Sequence, residues 1–290
     1  MLFCYQLLTK SFDIKLAVLS AFDLWKNNIF PFLFPFFIIS DLLISLNTIE
    51  LVNKYLSKIM YKLFKINPAS SFIFFMSILS GIPSNAKYIS ALLKSKELTE
   101  YEAQKIILFT HFCNPLFIIG IVSSLLNNKS LAILILCIHY ITNIIIGLLI
   151  RNYHPNNIKD FKVTKTTNNF LKTISSSILN SINTLLLILG VITFFSCIIT
   201  IITNNINSSL LKGILTSILE ITQGINQISY LNIPLNLKCT LITFVISFGG
   251  LSSHMQVMSI LEDTNIKYLP YLSARIFHAL ISSFIVYLIS

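Results

Sequence analysis

Apolar residues in this chain fall into long runs, and the points where glycine, proline or charge interrupts them define its organisation. A run of about 20 apolar residues crosses roughly 30 Å of hydrocarbon as a helix. Leu131 to Ile150 and Ile178 to Ile202 read as uninterrupted spans, and Ile29 to Leu46 as an earlier one with Pro31 and Pro35 in its opening turns. Residues 11–27 are of mixed polarity and predict an amphipathic helix lying on the membrane surface. Residues 49–66 place Lys54, Lys58, Lys62 and Lys65 at three- and four-residue spacings beside Leu51, Tyr55, Leu56, Ile59 and Leu63, a second surface helix.

Two apolar runs are broken in comparable ways. In the first, residues 70–93, Ser80-Gly81-Ile82-Pro83-Ser84-Asn85-Ala86-Lys87 interrupts an otherwise apolar stretch. In the second, residues 237–261, the interruption is Gly249-Gly250-Leu251-Ser252-Ser253-His254-Met255-Gln256. Setting Gly81 on Gly250 aligns Ser84 with Ser253, Asn85 with His254 and Lys87 with Gln256. Corresponding interrupted segments in two halves are a pointer to the substrate site of a repeat-built transporter. A third interruption, Asn114-Pro115, sits inside the helix that Thr99 and Glu102 open as a capping box. The segment 210–228 is a shorter apolar stretch containing Glu220, and 268–289 closes the chain with Arg275 and His278 in an apolar run.

The expected fold is therefore an all-α polytopic membrane protein built from two repeats, each with a glycine-broken, re-entrant segment. Its divisions are an amphipathic segment 1–27, a first membrane repeat 28–150, a basic linker 151–172 and a second membrane repeat 173–290. Composition agrees: 54% of residues are hydrophobic and 11% charged, against about 25% charged in soluble domains. The net charge of +10 gathers in stretches between apolar runs, where it sets topology and meets anionic lipid; it does not point to nucleic acid. Cysteines 4, 113, 137, 197 and 239 have no pairing or metal-ligand spacing and read as small apolar residues. The N-terminus carries no signal-peptide pattern.

Charged and polar residues at the breaks carry the candidate chemistry. Irregular backbone within hydrocarbon survives only where protein or water covers it. The half-helix restarting near Ser84 aims free N–H groups at its break, with Lys87 one turn on; these fit an anion site, or a packed re-entrant hairpin with Lys87 reaching the interface. Asp41, Glu220 and Arg275 should face the bundle interior, either as substrate and coupling-ion ligands or as structural ion pairs, Arg275 with Glu220 among them. His254 stands at the second break as a ligand or as a helix cap. No P-loop, metalloprotease, serine-hydrolase or metal-ligand spacing is present, so no catalytic role, metal or cofactor is expected.

In order along the chain, the two broken motifs, Glu102-Ala103-Gln104, Asn114-Pro115-Leu116-Phe117-Ile118-Ile119-Gly120, Glu220-Ile221-Thr222-Gln223-Gly224 and Tyr271-Leu272-Ser273-Ala274-Arg275 resemble the stage V sporulation integral membrane protein family, which carries the nucleoside-recognition or gate domain. The resemblance covers most of the chain from about residue 28. Ile82, Asn85 and Asn114 depart from the Tyr, Gly and Gly of that pattern. It implies kinship with concentrative nucleoside carriers and transport of dipicolinic acid across the mother-cell-derived outer forespore membrane by alternating access. Substrate-binding residues would be Gly81, Ser84, Asn85, Lys87, Asn114, Gly250, Ser252, Ser253, His254, Gln256 and Arg275, with Glu220 and Asp41 coupling an ion. Arg and Lys would meet the two carboxylates of dipicolinate. The expected partners are a small anionic substrate or a nucleoside, the lipid bilayer and a second copy of the chain, with no nucleic acid. A carrier of nucleosides or another metabolite, and a non-transporting scaffold with the same fold, are the alternatives.

Overall fold

The computed structural model describes residues 9–45, 48–153, 170–204 and 206–290. Cys4, the start of the N-terminal segment and most of the basic linker, including Lys159, Lys162 and Lys165, lie outside the described residues. The described residues form helices joined by short connections, with no strand among them. Helix α1 (Ser11–Leu24) passes through a π turn (Trp25–Ile29) into α2 (Phe30–Ser45), and α3 (Thr48–Phe64) is the amphipathic basic helix. Then come α4 (Pro68–Ser80), α5 (Ser84–Lys94) and α6 (Glu100–Ile107). A non-helical stretch over residues 108–114 follows, then a π turn (Phe117–Val122) leading into the one-turn α7 (Ser123–Leu126). Helix α8 (Lys129–Leu149) ends the first half. The second half holds α9 (Phe170–Thr203), α10 (Ser209–Leu219), α11 (Ile221–Ser229), α12 (Leu235–Phe248), α13 (Gly250–Ile260) and α14 (Tyr268–Ile289).

Among the described residues, four stretches are long and apolar enough to cross a membrane: Lys129–Leu149, Leu171–Thr203, Leu235–Ile260 and Tyr268–Ile289. Leu33–Leu43, Ser70–Ser80, Phe117–Leu126 and Ser209–Leu219 are shorter apolar helices. The chain is thus an all-α polytopic membrane protein. The capping box forms as its spacing predicts: Thr99 Oγ1 accepts from the Glu102 backbone N–H at 3.3 Å, while Glu102 accepts from the Thr99 N–H at 3.0 Å.

The two glycine breaks have different shapes. At Gly81, φ is +74°, and α5 folds back along α4: the Tyr88 and Phe72 rings meet edge to face at 5.9 Å, and the Tyr88 hydroxyl lies 3.0 Å from Ser80 Oγ. Helices α4 and α5 thus form a hairpin at the glycine break. At Gly249 and Gly250, φ is +92° and +65°, conformations open to glycine without steric cost, and α12 and α13 continue as one bent apolar span. The expected second hairpin is not there. It lies upstream, at Glu220, whose extended backbone (φ −143°, ψ 125°) turns α11 back along α10. A single extended residue reverses the chain because its carboxylate accepts from the Gln223 N–H at 2.8 Å and so caps the new helix.

Three hydrophobic clusters hold these elements together. One joins α3–α6 to α13 around Phe64, Phe72, Tyr88 and Phe109; another joins the 117–126 segment, α8, α11 and α12 around Ile118, Ile135, Ile225 and Ile242. The third seats α9 on α1 and α2 through Ala21, Phe37, Leu185 and Ile192.

Close packing of the second hairpin makes a test. A methyl on Gly224 would land on Ser217 Cα, whereas one on Gly120 meets nothing within 4 Å. Gly224→Ala is expected to destabilise the detergent-solubilised protein by about 1–3 kcal/mol, the usual cost of overpacking, with Gly120→Ala near neutral. Equal thermal midpoints for the two variants would refute the α10–α11 hairpin.

Candidate functional site

The hairpins and breaks converge. The tip of the first hairpin packs on the 108–114 stretch, where a Cβ on Gly81 would lie 2.6 Å from the Asn114 nitrogen. Similarly, Gly250 packs on the tip of the second hairpin, 3.1 Å from the Ile221 nitrogen by the same measure. The two breaks also touch each other, since a Cβ on Gly249 would sit 2.5 Å from His111 Nε2.

Residues 108–114 bury backbone polar groups that no helix satisfies, so each must find a partner elsewhere. The Leu108 carbonyl accepts from the Arg275 guanidinium. Asn85 donates to the Thr110 carbonyl at 3.2 Å, and Asn143 to that of His111 at 2.9 Å. The Ile82 N–H at the hairpin tip reaches the Phe112 carbonyl at 2.9 Å. Around Cys113, the Tyr140 hydroxyl is shared between the Cys113 carbonyl at 3.0 Å and the Ile78 carbonyl at 2.9 Å, and His139 Nε2 accepts from the Cys113 N–H at 3.0 Å. Four elements thus contribute donors or acceptors to one short stretch of chain.

Behind this stretch lies a buried polar network. Arg275 is fully buried and also donates to Asn143 Oδ1 at 3.3 Å and His278 Nδ1 at 3.0 Å. His278 Nε2 lies 2.9 Å from the His139 carbonyl, and His139 Nδ1 lies 3.0 Å from Ser247 Oγ on α12. These partners fix the neutral imidazoles. His139 takes its second bond from an N–H, so its proton is on Nδ1; His278 faces a carbonyl with Nε2, so its proton is there. His111 Nδ1 meets the Tyr271 hydroxyl at 2.7 Å, and His254 Nε2 caps the Phe248 carbonyl at 2.8 Å.

In front of the breaks is a cavity of about 100 Å³. Ile82 and Pro83 of the first hairpin, Cys113 and Asn114 of the first break, Glu220, Ile221 and Thr222 of the second hairpin, and Ser253 and Gln256 of α13 meet there. Ile188 and Ile192 of α9, with Asn28, Ile29 and Leu33, form its far wall, and Phe117 and Ile121 complete it. The N-terminal ends of α5, α11 and α13 all border this space, each bringing a partial positive charge.

Of the residues singled out by sequence, Asn114, Ser253, Gln256 and Glu220 line the cavity. Gly81 and Gly250 shape its borders through their packing. Ser84 and Ser252 are buried beside it without lining it. Asn85 and Arg275 are committed to backbone carbonyls of the first break, and Arg275 makes no contact with Glu220, the pairing weighed from sequence. Lys87 Nζ forms an ion pair with Asp41 at 2.9 Å, over the Phe37 ring at 5.0 Å, tying α5 to α2. His254 faces a separate cleft with Met255, Met258 and Tyr268. The apolar walls, Ile188, Ile192, Ile121 and Phe117, were not foreseen; an apolar residue on a spanning helix gives no sign of whether it faces lipid or a cavity.

Away from the bilayer core, Lys105 is 1% exposed, with its ammonium donating to the carbonyls of Lys65 (3.2 Å) and Arg151 (2.7 Å) at the ends of α3 and α8. Burial first, then the Lys65 charge, lowers its pKa to about 8 against the opposing pull of Glu102.

Fold and site together define a multi-pass α-helical membrane protein with a buried cavity at the junction of two hairpins and two helix breaks. The chain is similar to the sporulation integral membrane protein YlbJ of Bacillus subtilis, with 28% identity over 309 aligned positions that cover 93% of this chain and 76% of that protein. This similarity supports a sporulation membrane protein. No family profile and no solved structure matches the chain.

Two outcomes follow from the network and from Lys105. Arg275→Met leaves the Leu108 carbonyl and Asn143 Oδ1 without their donor, at about 1–3 kcal/mol for each buried orphan, so a large drop in thermal midpoint is expected, only partly recovered by Arg275→Lys. A midpoint unchanged by Arg275→Met would show that the network does not hold the break. For Lys105, the folded pKa lies below the ordinary lysine value near 10.5, so between pH 8 and 10.5 the unfolded chain binds more protons and folding gains stability as pH rises. The wild-type midpoint measured relative to Lys105→Met should therefore rise from pH 8 to pH 10. A flat or falling difference would contradict the assigned shift.

Proposed function

We propose that the protein is a carrier of sporulation membranes that moves a small ring-shaped metabolite by alternating access, with dipicolinate the first candidate. The observation that carries this reading is the cavity itself. Irregular backbone is concentrated where it borders a partly open space between two hairpin tips, the arrangement by which repeat-built transporters hold their cargo. The order hairpin, broken segment, spanning helix occurs twice, as α4–α5, α6 to α7, α8 and again as α10–α11, α12–α13, α14. On this reading the repeats correspond hairpin to hairpin, Gly81-Ile82-Pro83 to Glu220, and break to break, Asn114-Pro115 to Gly249-Gly250. The similarity to the Bacillus subtilis protein supports a sporulation membrane, and the outer forespore membrane follows only from the resemblance to the gate-domain sporulation family.

The lining suits a planar ring. Pro83, Phe117 and the isoleucines offer flat apolar walls, while Gln256, Ser253 and Thr222 supply hydrogen bonds at the edge; the Asn114 amide is engaged by the Ser80 carbonyl and the Leu116 N–H. At about 100 Å³ the space is below the roughly 300 Å³ of typical small-molecule pockets, so a hairpin must move for cargo to enter. Among the described residues no Lys or Arg lines it, and its one charged group is Glu220. A dianion would thus be held by helix N-termini, with Glu220 protonated as the coupling site. The same lining favours a second reading, a neutral polar ring such as a nucleoside, which needs hydrogen bonds and no counter-charge.

Uptake into proteoliposomes separates these readings. Labelled dipicolinate should accumulate, Gln256→Leu and Ser253→Val should each lower uptake about 10-fold or more for one lost buried hydrogen bond to a charged ligand, and Glu220→Gln should remove its pH dependence. Nucleoside uptake that dipicolinate does not compete would replace the first reading with the second. Uptake of neither, from correctly inserted protein, would leave the scaffold.

A further inference from the structure

Helix α9 borders two spaces in succession. Ile188 and Ile192 face the central cavity, and one turn further on Ser196, Thr200 and Thr203 line a second, larger groove of about 420 Å³. Helix α11 makes the same transition, with Ile221 and Thr222 on the cavity and Gln223 on the groove. The two helices meet at that level, where Gln223 Nε2 donates to Ser196 Oγ at 2.5 Å. One helical turn and one side-chain hydrogen bond therefore separate the spaces.

Ser196 and Thr203 are buried, Thr200 half-buried and Asn204 exposed, so the groove opens at the α9–α10 connection. Asp13 of α1 and Lys212 of α10 stand on its walls, and Asn204 donates to the Asp13 carboxylate at 3.4 Å. The hydroxyls of Ser196, Thr200 and Thr203 bond back to their own helix, at Ile192, Ser196 and Ile199, and such a stripe alone could face lipid. A carboxylate and an ammonium from two further helices could not, because charged groups among apolar helices face water or one another.

We propose that this groove is an aqueous access route to the central cavity for small polar solutes, and that the Ser196–Gln223 pair is its gate. The proposal rests on the carrier reading. A hydroxyl–amide pair suits a gate: both partners find water when they separate, so opening costs far less than parting an ion pair in hydrocarbon. The Lys87–Asp41 pair that links α5 to α2 is by contrast charged.

The test uses the full chain in proteoliposomes, with its native cysteines replaced by serine and a membrane-impermeant thiol reagent. Thr200→Cys and Thr203→Cys should react readily, and Ile192→Cys slowly. Adding Gln223→Ala, or Ser196→Ala as an independent second variant, should raise the Ile192→Cys rate by roughly 5-fold, as expected for one lost neutral hydrogen bond. Thr200→Cys that resists the impermeant reagent yet reacts with a lipid-soluble one would overturn the route. An Ile192→Cys rate unmoved by both gate variants would overturn the gate. Solute uptake measured on the same vesicles keeps the two readings apart. Absent uptake with an accessible groove defeats the carrier reading alone, and robust uptake with an inaccessible groove defeats this inference alone.

Discussion

The carbonyls and amides of residues 108–114 are the groups on which the arrangement of the molecule depends. A stretch of non-helical chain inside a membrane bundle exposes backbone groups that lipid cannot satisfy, each at a cost of several kcal/mol. Here Arg275, Asn85, Asn143, Tyr140, His139 and the Ile82 N–H answer them. Because those partners come from α14, α5, α8 and the first hairpin tip, satisfying one break fixes the relative positions of four elements. The cavity is what remains in front of the break once they are fixed.

The second break is held by different means. Two consecutive glycines with positive φ turn the helix within a residue or two, so few backbone groups are released, and His254 takes the Phe248 carbonyl. This economy leaves the side of α13 bearing Ser253 and Gln256 free to line the cavity. The first break is costly in partners and rigidly held; its counterpart is cheap and flexible in its demands. Where both meet, His111 can approach Gly249 only because no Cβ intervenes.

Much of this was legible in the sequence. Membrane class, the capping box at Thr99, the hairpin at Gly81 and the interruption at Asn114-Pro115 follow from hydropathy and from the backbone chemistry of glycine and proline. The place of the second hairpin was not. Gly81 and Gly250 are both glycine breaks in apolar runs, yet one reverses the chain and the other bends it. The hairpin at Glu220 turns on neither Gly nor Pro but on an acidic N-cap in an extended conformation. Its one sequence trace is the small residues Gly213, Ser217 and Gly224, whose spacing lets α10 and α11 approach closely. Charge is ambiguous for a related reason. An embedded cation such as Arg275 or Lys87 must have a partner, but sequence does not distinguish a substrate carboxylate from a backbone carbonyl or from Asp41.

That outcome changes the electrostatic argument for transport. With Arg275 and Lys87 already engaged, the balance at the cavity rests on three helix N-termini and one carboxylate, Glu220, which itself occupies the N-terminal donors of α11. A bound anion would compete with that carboxylate for the same partial positive charge, and the two could not share the site while both were ionised. An anionic cargo therefore requires a proton on Glu220 or an accompanying cation, whereas a neutral cargo requires neither. Coupling is in this sense a consequence of the cargo's charge, and pH dependence of uptake reports on the cargo as much as on the mechanism.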